Sequence, residues 1–318
     1  MKKIIIFIIS ACMLALSGCG TEAEAPAAAD GLNIVTTVFP AYDFARSVAG
    51  ERANVTLLVP PGAESHSFEP SPQDILRINS CDLLICNGGE SEAWLEEIAD
   101  GLDADVRILS MLGCVDALEE EIKDGMQHRE HAHGAHDGHG EETEYDEHVW
   151  TSPVNAVRIC RAICAELCAI DPDNAGTYIG NTGAYCAELS ELDEAFRGIC
   201  ENARRHVLIF ADRFPVRYFV EEYGLDYYAA FPGCADDAEP SARTVAFLID
   251  RVREDDIPAV LYIEFSDEKM ADIICEETGC EKLLFHSCHN VGADELSAGV
   301  TYLELMRRNV ETVKEALG

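Results

Sequence analysis

Ten histidines carry most of the chemistry open to this chain, and they are unevenly placed. His128, His131, His133, His136 and His139 crowd the stretch "QHREHAHGAHDGHGEETEYDEH", while His66, His148, His206, His286 and His289 are scattered. Imidazole is neutral near physiological pH and is a good ligand for zinc and similar borderline metals. A tract mixing His, Asp and Glu gathers such ions with modest affinity, although the same composition also serves as a solubilising loop.

The scattered set is sharper, because its members sit at the ends of apolar runs. His66 lies in "PPGAESHSFEPSP", directly after "NVTLLV"; Asp212 closes "HVLIFAD"; Glu264 closes "AVLYIE"; His286 closes "EKLLFH". His148 stands at the exit of the histidine tract, in "DEHVW". Any one of these alone reads as an ordinary hydrogen-bonded histidine or carboxylate. Together they fall where open parallel sheets bind ligands, at the carboxyl ends of strands. Three imidazoles and one carboxylate would make a four-coordinate site suited to Zn²⁺, and more oxygen ligands would shift the preference to Mn²⁺. Prolines on both sides of His66 restrict its backbone, and Ser71–Pro72 is a helix-opening pair.

The elements that must hold these residues are legible as alternation. "LNIVTTVF", "NVTLLV", "CDLLICN" and "VRILSML" read as strands in the first half; "HVLIFA", "DYYAAF", "AVLYIEF" and "EKLLFH" do so in the second. Helical periodicity lies between most of them. This pattern argues for parallel α/β sheets covered by helices, four strands in each of two lobes. Between the halves, Tyr178, Thr182, Tyr185, Leu189, Leu192, Phe196 and Ile199 follow steps of three and four. They predict one long helix over 172–203, opened by "DPDN", with the glycines of "IGNTG" as the place where it would break into two. Residues 113–147 are acidic, histidine-rich and poor in apolar residues, and are expected to form a disordered surface loop.

The chain of 318 residues is long enough for two domains, and 48% hydrophobic residues suffice for packed cores. A net charge of −36 excludes a nucleic-acid partner and favours cations. The opening "MKK", the apolar "IIIFIISACMLAL" and the small residues after it read as an export signal. "LSGC" resembles a bacterial lipobox, which would lipidate Cys19; "GTEAEAPAAAD" then reads as a flexible tether. The fourteen cysteines fit no paired metal spacing. Cys160, Cys164 and Cys168 share a helical face as core residues, and Cys275 and Cys280 could pair in an oxidising compartment.

Four stretches, "PPGAESHSFEPSPQDI", "DEHVWTSPVNA", "EPSARTVAFLID" and "GVTYLELMRRNVETVKEAL", resemble the metal-binding lipoproteins of bacterial zinc and manganese ABC importers. The resemblance runs from about Asn33 to the end and keeps the family's motif order. It implies two Rossmann-like lobes, each a four-stranded parallel sheet with flanking helices, joined by one long rigid helix, with one divalent metal in the cleft. It also implies delivery of that metal to a membrane permease driven by a cytoplasmic ATPase. The implied organisation is a lipoprotein signal peptide at 1–18, a tether at 19–31, and an N-terminal lobe at 32–170 carrying the histidine-rich loop 113–147. A linking helix at 171–203 and a C-terminal lobe at 204–318 complete it. A monomer held by lipid on the outer face of the cytoplasmic membrane is expected.

His66 and His148 match the family's first two histidine ligands. The family usually has His or Glu after the first strand of the second lobe, and here an ungapped match places Arg213 there. Arginine stays protonated and cannot ligate a metal, so Asp212 becomes the nearest candidate. The late position, commonly Asp, falls on His286, with Cys288 and His289 competing and water a further candidate for the fourth ligand. Glu264 is expected to orient a ligand from behind. Two other readings are open at this stage. A secreted zinc hydrolase would use Glu264 as general base, but the chain has neither HExxH nor a nucleophile elbow. A surface adhesin lipoprotein would use the tether for display, with no residue pattern marking an adhesive face.

Overall fold

Each of the eight apolar runs forms a strand, and the strands assemble into two parallel sheets of four. The computed structural model describes residues 31–318 except 65, 100, 104–105, 128–143 and 236–239. The first sheet contains β1 (Leu32–Thr36), β2 (Ala53–Leu57), β3 (Leu83–Cys86) and β4 (Arg107–Ser110), in the order β2-β1-β3-β4. The second contains β5 (Val207–Phe214), β6 (Asp226–Pro232), β7 (Ala259–Tyr262) and β8 (Glu281–Leu284), in the matching order β6-β5-β7-β8. In both, the chain moves one way from the first strand and then crosses back to the other side, which opens a crevice at the carboxyl ends.

The first lobe carries α1 (Phe39–Ala49), α2 (Pro72–Asn79), α3 (Trp94–Ala99) and α4 (Pro153–Ile170). Helix α5 (Ala175–Asn202) follows a 3₁₀ turn at Pro172–Asn174. The second lobe carries α6 (Arg217–Tyr223), α7 (Ala242–Glu254), α8 (Lys269–Thr278), α9 (Ala293–Ala298) and α10 (Tyr302–Leu317). Helix α2 starts where the Ser71–Pro72 pair predicts, with a reciprocal Ser71–Asp74 capping box. Ser152–Pro153 opens α4 in the same way, the Ser152 hydroxyl accepting from the Asn155 N–H.

Helix α5 runs through the "IGNTG" glycines without a break. Tyr178, Thr182, Tyr185, Leu189, Leu192 and Phe196 are all buried on one face, and Ile199 is half-buried. Burial of that stripe against α1, α4 and α10 outweighs the cost of about 1 kcal/mol per mid-helix glycine. The sheets are buried on two faces. Ile34, Leu83 and Ile85 enter the main core, while Val35 and Leu84 face a separate cluster with Ile78. The main core continues through the α5 stripe into Phe210, Leu261 and Phe285 of the second lobe, so one apolar body backs both sheets.

The expected disorder of 113–147 is corrected for its two flanks. Residues 113–127 and 144–147 lie against the second lobe, with Met126, Asp146 and Glu147 buried. The Leu118 N–H donates to the Tyr218 hydroxyl at 3.1 Å and the Gln127 N–H to the Ala230 carbonyl at 2.8 Å. Specific backbone hydrogen bonds hold these flanks where composition offers few apolar residues. The five histidines of the tract lie outside the described residues. The Sγ atoms of Cys275 and Cys280 stand 3.4 Å apart as free thiols, and Cys160 and Cys164 are buried on α4.

Candidate metal centre

Three loops from the carboxyl ends of both sheets converge on His66, His148 and His289. The loop after β2 turns at Gly62, whose φ of +75° favours glycine. Its backbone is then held by the opposite lobe: the Asn290 side-chain amide donates to the Pro60 and Ala63 carbonyls at 2.8 and 2.9 Å, and the Gly62 N–H to the Val291 carbonyl at 2.9 Å. These bonds bring His66 to His289, ring centroids 4.7 Å apart. His148 lies 5.4 Å from His66 and 5.2 Å from His289 by the same measure. One ring nitrogen from each of the three lies within 4.8 Å of the others. Tetrahedral Zn–N bonds of about 2.0–2.1 Å put ligand nitrogens about 3.4 Å apart, a spacing in the range this cluster can close on one ion.

His148 is the most completely prepared. Its Nδ1 pairs with the buried Asp146 carboxylate at 3.1 Å, and Asp146 also accepts from the His148 backbone N–H at 2.8 Å. That leaves Nε2, which is buried and has no hydrogen-bond partner. An orphaned buried nitrogen is costly unless something occupies it, and a carboxylate–histidine pair with the other nitrogen open is the arrangement of a metal ligand. The protonation of the three rings differs. Burial and the neighbouring His148 pull His66 down to about 3. Burial, His66 and His148 hold His289 well below the ordinary imidazole value. Burial works against charge on His148 too, but Asp146 outweighs it and raises this ring above the ordinary value.

A cavity of about 30 Å³ lies at the cluster, lined among others by His66, His148, His289, Arg213 and Glu264. It admits an ion with a water, far below the roughly 300–1,000 Å³ of pockets for organic ligands.

Two of the expected ligands are not brought into the cluster. His286 is buried but is not in the cluster: its Nδ1 accepts from the Cys288 N–H at 3.0 Å, and Asn309 on α10 binds both its backbone groups at 2.9 and 2.8 Å. Beyond it the chain reverses at Cys288, whose φ is +62°, and this turn carries His289 into the cleft. Asp212 is likewise elsewhere. Its carboxylate accepts from the Arg213 N–H at 2.8 Å and the Ile263 N–H at 3.4 Å, and burial raises it. Successive strand residues take opposite faces, and here Arg213 takes the cavity. Its guanidinium pairs with Glu64 at 3.0 Å, and although burial pushes the Glu64 carboxyl up, Arg213 and His66 hold it below the usual range. Cys288 is fully buried, its thiol turned to the His286 carbonyl.

Glu264 lies against the loop that presents His289. It accepts from the Ser287 N–H at 2.7 Å, the Ser287 hydroxyl at 2.5 Å and the His289 N–H at 3.3 Å, and so fixes the loop that presents His289. Trp150 braces the same loop, donating to the Ser287 carbonyl at 2.8 Å, while Tyr302 on α10 donates to the Trp150 carbonyl at 2.7 Å. Asp146 and Glu64 are positions the sequence reading passed over; an acid two residues before His148 was the available signal for the first.

Two parallel lobes backed by one long helix thus gather imidazoles from both sheets at one crevice. Residues 34–316 match the ZnuA family, described as zinc-uptake complex component A, periplasmic, and the chain belongs to it. It is 32% identical to the zinc-binding lipoprotein AdcA of Streptococcus pneumoniae (strain ATCC BAA-255 / R6), over 99% of this chain and 61% of that protein's length. It is 30% identical to the high-affinity zinc uptake system protein ZnuA of Bacillus subtilis (strain 168), over 98% of this chain and 97% of that one. The crystal structure of the Zn(II)-bound ZnuA-like domain of pneumococcal AdcA superimposes with a TM-score of 0.74 at 29% identity, covering 90% of this chain and 99% of that domain.

Proposed function

We propose that this protein is the extracytoplasmic receptor of a zinc importer. It captures one Zn²⁺ between His66, His148 and His289 and passes it to a membrane permease driven by a cytoplasmic ATPase, with no reaction on its cargo. The observation that carries this reading is the buried, unpartnered Nε2 of His148, set beside two imidazoles held neutral. Three nitrogen donors favour zinc over manganese, which prefers oxygen. The remaining coordination position falls to a water or to Glu64. The apolar body shared by both lobes and α5 supports a small opening motion on loading.

The N-terminal residues 1–18 act as an export signal, Cys19 takes the lipid, and 19–31 tether a monomeric receptor to the outer face of the membrane. The lobes are 32–170 and 204–318, with 171–203 between them. His128, His131, His133, His136 and His139 collect zinc for the cleft. The test is uptake of radioactive zinc under chelator limitation by cells whose own copy of this protein is replaced by the His66→Ala/His148→Ala variant. Uptake falls to the level of cells lacking the protein; wild-type uptake with folded, exported variant would overturn the reading.

A further inference from the structure

The described residues bring together a second donor set that shares only His66 with the three-histidine centre. One ligand atom each of His66, Glu147 and Cys234 lie within 4.8 Å of one another. The set mixes a ring nitrogen, a carboxylate oxygen and a thiol sulfur. Each member is placed by its own element. Cys234 follows β6 through Gly233, where a Cβ would stand 2.8 Å from the Phe214 carbonyl oxygen and 3.1 Å from Cε1 of His148. Only a residue without a side chain lets the β6 exit pass this close to the centre. The Cys234 N–H donates to Glu120 at 3.4 Å, which ties it to the flank of the histidine tract.

Glu147 is the residue before His148. Its Oε1 accepts from the Ser91 N–H at 3.0 Å, and its Oε2 from the Ser91 hydroxyl. Gly89 packs flat on it; a Cβ there would lie 2.4 Å from Oε1. The carboxylate is therefore held in position before any ion arrives.

The geometry points to a second binding position for a thiophilic divalent cation, Zn²⁺ or Cd²⁺, formed by His66, Glu147 and Cys234. It rests on His66 being a ligand, as in the function proposed above. Zinc accepts nitrogen, oxygen and sulfur donors together, whereas manganese disfavours thiolate. Cys234 binds as the thiolate, its proton passing to solvent. A neutral imidazole offers one lone pair, so His66 serves one position at a time and a single ion occupies the cleft. The ion can then change position by holding His66 while Glu147 and Cys234 give way to His148 and His289. Movement between the two positions proceeds through partial exchange of ligands, with no fully detached ion.

Cobalt(II) is the probe, because its d–d bands report tetrahedral ligation and its near-ultraviolet charge-transfer band reports bound thiolate. Wild-type protein loaded with cobalt should show the d–d bands. In the His289→Ala variant the ion should move to the second position and the sulfur-to-cobalt band should appear. Adding Cys234→Ser to that variant should abolish the band and the residual cobalt binding together. His289→Gln serves in the same comparison if the alanine variant does not fold. Cobalt binding by the wild type with no charge-transfer band in either His289 variant would refute the second position alone. No cobalt or zinc binding by the wild type would remove both readings.

Discussion

His289 and His286 are three residues apart, both buried near the same crevice, and the account assigns them opposite roles. His289→Ala removes one of three imidazole donors. Apparent zinc binding energies of about 10–16 kcal/mol for complete protein sites, shared among their ligands, make one imidazole worth about 3 kcal/mol, or about a hundredfold in Kd. His286→Asn keeps an acceptor where Nδ1 now receives the Cys288 N–H, so the turn at Cys288 survives and zinc affinity should stay within about threefold of wild type. His286→Ala instead strands that N–H and should cost about 1–3 kcal/mol of stability. The assay is competitive zinc titration against a chromophoric chelator, with thermal melts of the metal-free proteins to confirm folding. A hundredfold loss in His286→Asn with an intact site in His289→Ala would refute the reasoning.

The other predictions concern what holds the histidines and what charges them. Glu264→Ala removes the acceptor for three donors of the 287–289 loop and should weaken zinc about 10–100-fold without deleting a ligand, read by the same titration; unchanged affinity would show that the loop holds itself. His66 and His289 are neutral when folded and bind protons on unfolding, so the unfolded state takes up more protons below about pH 6.5. The metal-free protein should therefore lose stability as pH falls from about 6.5 toward 3, against a smaller opposite contribution from the raised His148; melts that do not shift downward over this range would contradict it. At pH 6 only His148 of the three carries a proton to displace, so zinc binding should release about one proton from these rings, measured by calorimetry in buffers of different ionisation enthalpy. Deleting 128–143, which spares the anchored Gln127, should leave equilibrium affinity unchanged and lower zinc uptake at limiting metal; wild-type uptake would refute the collector role.

The sheets were readable because buried parallel strands are short apolar runs, and "CDLLICN" or "AVLYIEF" has few other uses. Helix α5 was readable because its buried stripe keeps helical spacing from Tyr178 to Phe196. His66 and His148 were legible from local motifs that stiffen or orient one imidazole. His289 was harder. The apolar run that holds β8 ends at His286, but the positive φ at Cys288 that swings the next imidazole into the cleft is a tertiary choice at a residue that gives no glycine-like signal. Asp212 and Arg213 pose the same problem across a strand: the sequence shows both, and only the register with β6 and β7 decides which faces the cavity. The flanks of the histidine tract misled for a related reason, since their order comes from hydrogen bonds to Tyr218 and Ala230, about a hundred residues away in sequence.

The most direct test is a crystal structure of the zinc-loaded protein with anomalous data at the zinc edge. The account predicts a peak about 2.0–2.1 Å from one ring nitrogen each of His66, His148 and His289, with Nε2 as the ligand atom of His148. A peak bonded to His286 or Asp212, or no peak in the cleft of protein that carries zinc, would contradict it.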